Sequence, residues 1–385
     1  MAQPPLKHGD YSVGWICALE IERSAARGML DKEHPNLPLS AFDQNIYSLG
    51  SIGDHNVAIA CLPEGMPGTA AAATVANFMS STFTELRFQL LVGIGGGAPK
   101  PRGEQNPRND IRLGDIVVSR PTDEHGGVIR YDFGKAEANG EFVHKGTLRR
   151  PPLILLSAIG TMRSDERVQG LDLSKHLQRL DSFPDSDEWK HQGIENDELF
   201  AADYNHKEAK DSIIKSCNDC EREHLVSRLA RKDTKPAVHY GLIATANQVM
   251  KDGVKREMIR SKHNILCFEM EAGGLDNFEC LVIRGICDYS DTHKNDRWQP
   301  YAAATAAAYA RELLFKIPKR QVSQEPPMPS VTPATGELNV NVDNSLTHPR
   351  ADLDVAPNPV NLRHDARVCN LHLHLRRWNS VIFRD

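Results

Sequence analysis

The sequence predicts an α/β layered protein with a largely parallel or mixed sheet. Short, apolar, β-branched runs alternate with helical stretches from Tyr11 to Phe315, and strands interleaved with helices are the mark of that class. The composition agrees: 40% hydrophobic and 25% charged residues in a chain of 385 can build a sizeable core.

Residues 11–17 read as a strand and 19–30 as a helix with Ile21, Ala25 and Met29 at core spacing. Residues 45–49 and 56–61 form a strand pair around the Gly53-Asp54 turn. After Gly68 an Ala-rich helix covers 69–79, and strands follow at 88–94, 115–120, 238–244, 264–268 and 280–287. Residues 302–315 read as a closing helix, with Pro300 just ahead of it, where a proline does least harm. Between 161 and 236 the chain turns charged and loses its period, which reads as a helical or loop insertion over the sheet. From 318 to 359 there are eight prolines in 42 residues and no apolar period, the composition of a linker or disordered tail. The final stretch, around 371–383, alternates like one strand without a partner.

Composition also excludes functions. The formal charge is −5 and no long basic run occurs, so binding to nucleic acid through a broad basic face is not expected. No apolar run approaches the ~20 residues of a membrane span, and the N-terminus has no apolar leader core. The expectation is a soluble, cytoplasmic protein with no membrane partner. Of the eight cysteines, those at 17, 61, 267 and 287 lie in strand-like runs and read as buried free thiols. Cys217-Asn-Asp-Cys220 has metal-ligand spacing with His206 and His224 nearby, but no second cysteine pair completes the pattern, so the sequence favours plain surface thiols over a metal site and assigns no metal.

Four segments bear on chemistry. Leu90-Leu-Val-Gly-Ile-Gly-Gly-Gly-Ala-Pro99 formally fits the dinucleotide fingerprint through Gly93, Gly95 and Ala98. That motif needs a helix to begin at once, and Pro99, Pro101, Gly103 and Pro107 forbid one. A strand running into bare glycines, with Gly95 and Gly96 at its end, points to backbone amides close to a small ligand or to a tight turn with close strand packing. Glu269-Met-Glu271 follows an apolar strand, and an unpaired ionised carboxylate is costly to bury, so both acids are expected exposed or engaged. Asp288 ends another apolar strand, where a ligand-facing acid and a helix N-cap are both open. Glu22, one turn into the first helix, faces the same edge or solvent.

Together these segments resemble the nucleoside phosphorylase/nucleosidase superfamily, which includes purine and uridine phosphorylases and methylthioadenosine/adenosylhomocysteine nucleosidases. The likeness is to its fungal branch, often joined to NACHT or repeat modules. It rests on Val-Gly-Trp-Ile-Cys-Ala-Leu-Glu-Ile-Glu22, Val-Gly-Ile-Gly-Gly-Gly97, Leu-Gly-Asp-Ile-Val-Val-Ser119, Tyr-Asp-Phe-Gly134, His-Tyr-Gly-Leu-Ile-Ala-Thr-Ala-Asn247, Phe-Glu-Met-Glu271 and Ile-Arg-Gly-Ile-Cys-Asp288, in that order along the chain. The resemblance implies one domain over 10–317, with 161–236 as a variable insertion and 318–385 as linker and tail. It implies a mixed sheet that partly closes into a barrel, flanked by helices, and a homo-oligomer without a cofactor.

Position by position, the resemblance makes Asp288 the acid that protonates the purine at N7. It makes Glu271 the carboxylate on the ribose hydroxyls, Met270 the residue packed on the sugar, and Glu22 the base for an attacking water. Asn247, with the backbone at Val249 and Met250, falls where the family holds the base. The phosphorolytic members carry a serine inside the glycine run and an arginine before it, and Ile94 and Leu91 stand there in this chain. A phosphate dianion would lack compensating donors, which favours hydrolysis of a purine nucleoside or nucleotide. The alternatives are phosphorolysis by inorganic phosphate and a non-catalytic nucleoside-sensing module of an immune-type receptor. Gly273-Gly274 falls where the family keeps a helix, and at about 1 kcal/mol per glycine that helix is expected to fray.

Overall fold

In the computed structural model, residues 4–328 are described, apart from 101–105, 107–108, 139–141, 146–147, 208–216 and 277. β1 (Val13–Cys17) is buried along its length and leads into α1 (Glu20–Gly28). β2 (Lys32–His34), β3 (Tyr47–Ile52) and β4 (His55–Cys61) run antiparallel in turn, and Gly53 supplies the positive φ of the β3–β4 turn. α2 (Thr69–Thr82) precedes β5 (Phe88–Gly97), and β6 (Ile116–Ser119) and β7 (Val128–Arg130) follow. β8 (Gly134–Ala136) and β9 (Phe142–His144) form a separate hairpin. After α3 (Leu153–Gln169) and the short α4 (Ser174–Leu177) come β10 (Val238–Thr245), α5 (Gly253–His263), β11 (Ile265–Glu269), β12 (Cys280–Asp288), α6 (Gln299–Phe315) and α7 (Lys319–Val322).

The main sheet runs β11-β10-β6-β12-β5-β1-β4-β3-β2, with β7 added on β10. β11 also pairs back, antiparallel, onto the end of β5, with Cys267 opposite Gly97 and Phe268 opposite Gly96. Strands β5, β12, β6, β10 and β11 therefore close into a five-stranded barrel, and β1, β4, β3 and β2 extend the sheet from β5. The expected mixed, partly closed sheet is the observed one. The strand expected over 88–94 runs on through the glycines to Gly97. A Cβ on Gly95 would stand 2.9 Å from the Phe268 carbonyl oxygen, so a bare backbone is what lets β11 cross over it.

α6 is buried all round, as expected of a helix that is apolar on every face. A Cβ on Gly285 would meet the Ala302 carbonyl at 1.8 Å, so the alanine surface of α6 lies directly on β12. Ion pairs hold the charged insertion where it lacks an apolar period. Arg231 pairs with Asp115 at 2.5 Å and Arg228 with Asp197 at 3.0 Å. Burial opposes ionisation of Asp115, but Arg231 and His239 hydrogen-bonded to it bring its pKa down to about 2.

Residues on the far side of the boundary drawn at Pro318 lie against this body. Val322 is buried, Arg87 donates to the Glu325 carbonyl at 2.9 Å, and the Met328 N–H donates to the Leu86 carbonyl at 2.7 Å. The rest of the Pro-rich stretch and the strand-like segment near the end lie outside the described residues. Cys17, Cys267, Cys280 and Cys287 are buried free thiols and Cys61 is half-buried. No described helix is long and apolar enough to cross a membrane.

Candidate active site

The carboxyl ends of β1, β5, β11 and β12 and the segment after β10 surround one cavity of about 200 Å³. Glu22, Gly95, Gly96, Val249, Met250, Met270, Glu271 and Asp288 all line it, joined by Glu269, Ser290 and Lys294. Asn247 is not among the lining residues. Its backbone N–H donates to Asp132 at 2.9 Å, and its side-chain oxygen occupies the space where Gly68, at φ 105°, has no Cβ.

Glu22 joins the first turn of α1 to the glycine strand. Its Oε2 accepts from the Ala18 and Leu19 N–H groups at 2.6 and 3.1 Å, and its Oε1 accepts from Ile94 N–H at 2.8 Å. The acid thus caps the helix that bears it while reaching across to β5. A Cβ on Gly93 would lie 2.3 Å from Oε1, so the missing side chain is the room the carboxylate occupies. Burial raises the Glu22 pKa against the lowering effect of Arg284 and the three N–H groups.

Arg284 organises the opposite wall. It sits on β12 with no solvent exposure, and its Nη2 donates to Glu269 Oε2 at 2.5 Å and to Glu271 Oε2 at 3.1 Å. Its Nη1 donates to the Ile94 carbonyl at 3.3 Å and stands 4.0 Å from Glu22 Oε1. One guanidinium therefore faces three buried carboxylates. Burial, together with repulsion from Glu269 and Glu22, outweighs the pull of Arg284 and pushes the Glu271 pKa up to about 7. Glu269 is the structural member of the set, accepting from the Glu271 and Ala272 N–H groups at 3.1 and 3.0 Å.

The segment after Glu271 is a single 3₁₀ turn, Ala272–Gly274, rather than a frayed helix. A Cβ on Gly274 would fall 1.9 Å from the Thr69 carbonyl. The glycines thus permit close contact with the start of α2, and Glu271 is held by Arg284.

Asp288 ends β12. Its Oδ1 accepts from the Ser290 N–H at 2.8 Å and its Oδ2 lies 2.9 Å from Lys294 Nζ. Burial works against the Lys294 ammonium, but Asp288 beside it holds its pKa above the ordinary lysine range. Ser290 adopts φ 56°, a left-handed conformation uncommon for a residue with a side chain, and its buried Oγ has no hydrogen-bond partner among the described residues. A Cβ on Gly96 would lie 2.1 Å from that Oγ and 2.7 Å from Asp288 Oδ1.

The closed barrel with these motifs at its strand ends is what the resemblance to the nucleoside phosphorylase/nucleosidase superfamily implies. No family model matches the chain. A curated relative is the nucleotide-binding leucine-rich repeat (NLR)-like protein of Hyaloscypha variabilis, 46% identical over 317 residues. That match takes in 82% of this chain and 30% of the relative, so the chain spans about 30% of its length. Similar solved structures include the 5'-methylthioadenosine/S-adenosyl homocysteine nucleosidase of Helicobacter pylori, with 13% identity, 80% of this chain and 99% of that chain covered, and a TM-score of 0.49. The futalosine hydrolase of the same organism gives 14%, 80%, 100% and 0.47.

Three participants escaped the sequence reading. Arg284 left a signal, since an arginine inside the run Cys280-Leu-Val-Ile-Arg-Gly-Ile-Cys287 must be buried with its strand and therefore paired. Lys294 and Ser290 left none, because their roles arise from the turn that the chain makes after β12.

Proposed function

We propose that this cavity cleaves the N-glycosidic bond of a purine nucleoside or nucleotide, with water as the nucleophile. The observation that carries the reading is one cavity lined by two separate ionic sets, Asp288 with Lys294 and Glu22 with Glu271 around Arg284. Cleavage needs a proton delivered to a departing base, and negative charge near a sugar that becomes oxocarbenium-like.

In this reading Asp288 faces the base. Asp288 delivers the proton to the departing base, and Lys294, 2.9 Å from its Oδ2, holds the carboxyl group in place. Glu271 accepts from the ribose hydroxyls and Met270 packs on the sugar. Val249 and Met250 border the base, and Asn247 acts through its loop. Glu22 activates the water through Oε1, because Oε2 already accepts two backbone N–H groups. Its raised pKa makes it a stronger base than an ordinary carboxylate.

Water is favoured over phosphate on electrostatic grounds. Among the described lining residues the cations are limited to Lys294, already paired with Asp288, while Glu22, Glu269 and Glu271 repel an anion. Leu91, at the position of the phosphorylases' arginine, is fully buried. The Ile94 N–H is occupied by Glu22.

A second reading, a nucleoside-sensing module that binds without turnover, is favoured by the similarity to a longer NLR-like protein. Asp288→Asn separates the two. Base release from adenosine, inosine, methylthioadenosine or ATP, followed by chromatography, falls at least ~10²-fold if Asp288 delivers the proton. Ligand binding to the intact protein with no base released would favour the sensor.

A further inference from the structure

The charged insertion carries a site that the proposed reaction does not use. His206 Nδ1 lies 3.3 Å from Cys220 Sγ and 3.9 Å from Cys217 Sγ, and the three ligand atoms all fall within 4.8 Å of one another. Zinc bonds of about 2.3 Å to sulfur and about 2.05 Å to nitrogen, opened to the tetrahedral angle, put sulfur and nitrogen about 3.6 Å apart. The two observed separations bracket that spacing. The Cys-x-x-Cys pair is closed by a turn in which Cys220 N–H donates to the Cys217 carbonyl at 3.1 Å, so both thiols face one point. Cys220 is buried and Cys217 half-buried. His224, the other histidine near the pair in sequence, is elsewhere: its ring stacks on Tyr204 at 4.1 Å and its Nε2 contacts Glu221.

We propose that His206, Cys217 and Cys220 bind a structural zinc ion that clamps the insertion to the loop following β12. The linkage is direct. The His206 N–H donates to Thr292 Oγ1 at 2.8 Å, and its ring stands edge-on to His293 with centroids 5.5 Å apart. Thr292 and His293 lie between Asp288 and Lys294, so a metal that fixes His206 also fixes the segment connecting the two. The ion takes three protein ligands as two thiolates and a neutral imidazole, releasing the two thiol protons, and the remaining position is filled from outside the trio. Two thiolates with a nitrogen donor suit zinc above magnesium or calcium.

The test is metal content of the full chain, expressed without added metal, purified under reducing conditions with any affinity tag removed, and measured by plasma mass spectrometry. The expectation is about one zinc per chain, falling at least about tenfold in Cys217→Ser/Cys220→Ser and in His206→Ala. Replacement by cobalt(II) should give the visible bands of a tetrahedral site with a thiolate charge-transfer band. Chelation of the wild-type protein should raise amide hydrogen exchange at 289–294 with little change in β5 or β12. Should the variants fail to fold, the wild-type metal content and cobalt spectrum still decide. Less than about one-tenth equivalent of zinc with no cobalt spectrum would overturn the proposal, as would a Cys217–Cys220 disulfide in freshly isolated protein. These readouts are independent of base release, so the proposal stands or falls apart from the catalytic reading.

Discussion

Replacing Arg284 by methionine removes the guanidinium that faces Glu22, Glu269 and Glu271 inside the barrel. Methionine fills much of the volume, so the main effect is electrostatic. Breaking a buried ion pair while leaving its partner costs about 3–5 kcal/mol, a large part of the 5–15 kcal/mol that stabilises an ordinary domain. The cost depends on pH in a defined direction. Glu271 titrates near 7 in the folded protein against an ordinary value of 4.5. Its folded-state pKa is raised, so the stability linked to it is fully present below about 4.5 and is lost as pH rises through 7.

At 1.36 kcal/mol per unit that loss amounts to about 3 kcal/mol in the wild type. Without Arg284, which lowers the Glu271 and Glu22 values, both acids shift further up and the variant loses more over the same window. Urea unfolding at pH 5 and pH 7.5 should therefore show a destabilisation that grows by at least about 1 kcal/mol between the two. A destabilisation below about 1 kcal/mol at pH 7.5, or one equal at both pH values, would refute the idea that Arg284 neutralises a buried carboxylate cluster.

Lys294→Met should lower base release by about 10²-fold, because Asp288 loses the ion pair that positions it; unchanged kinetics would show that Lys294 does not hold Asp288 in place. Gly96→Ala should cost about 10²-fold or more in turnover, since the new Cβ displaces Ser290 and Asp288 by about an ångström. Normal kinetics in that variant would mean that Asp288 need not stand where it does. Ending the chain after Pro318 removes the buried Val322 and the Met328–Leu86 and Arg87–Glu325 bonds. At roughly 1.5–3 kcal/mol for one buried aliphatic side chain, chemical denaturation should register a clear loss, whereas equal stability would show that this segment's packing contributes nothing.

The elements and the convergence of acids were legible because each rests on a local rule. Apolar runs locate β1, β5, β10, β11 and β12, and acids at strand ends mark the edge where ligands gather. The purpose of the glycines was not legible. Gly93, Gly95 and Gly96 read as a strand end that offers amides to a ligand or packs closely in a tight turn, and in the structure they are strand residues whose missing side chains make room for Glu22, for β11 and for Asp288 with Ser290. That role depends on what crosses above the strand, which comes from residues some seventy positions before it and about two hundred after it. The Gly273-Gly274 pair misled in the same way, since its close neighbour Thr69 belongs to α2. Apolar periodicity fails over the insertion because ion pairs such as Arg231 with Asp115 hold it, and these connect residues far apart in sequence. The Cys-x-x-Cys spacing was visible, but which histidine completes it is settled only by the fold, which brings His206 to the pair.

The central claim is that water attacks the anomeric carbon of a purine nucleoside or nucleotide held between Glu22 and Asp288. The most direct measurement is turnover in ¹⁸O-labelled water, with and without inorganic phosphate, followed by mass spectrometry of the sugar. The account predicts one labelled oxygen at C1 of a free sugar, a rate independent of phosphate, and loss of most activity in Glu22→Gln. Unlabelled sugar 1-phosphate that accumulates in proportion to added phosphate, with Glu22→Gln still active, would contradict it.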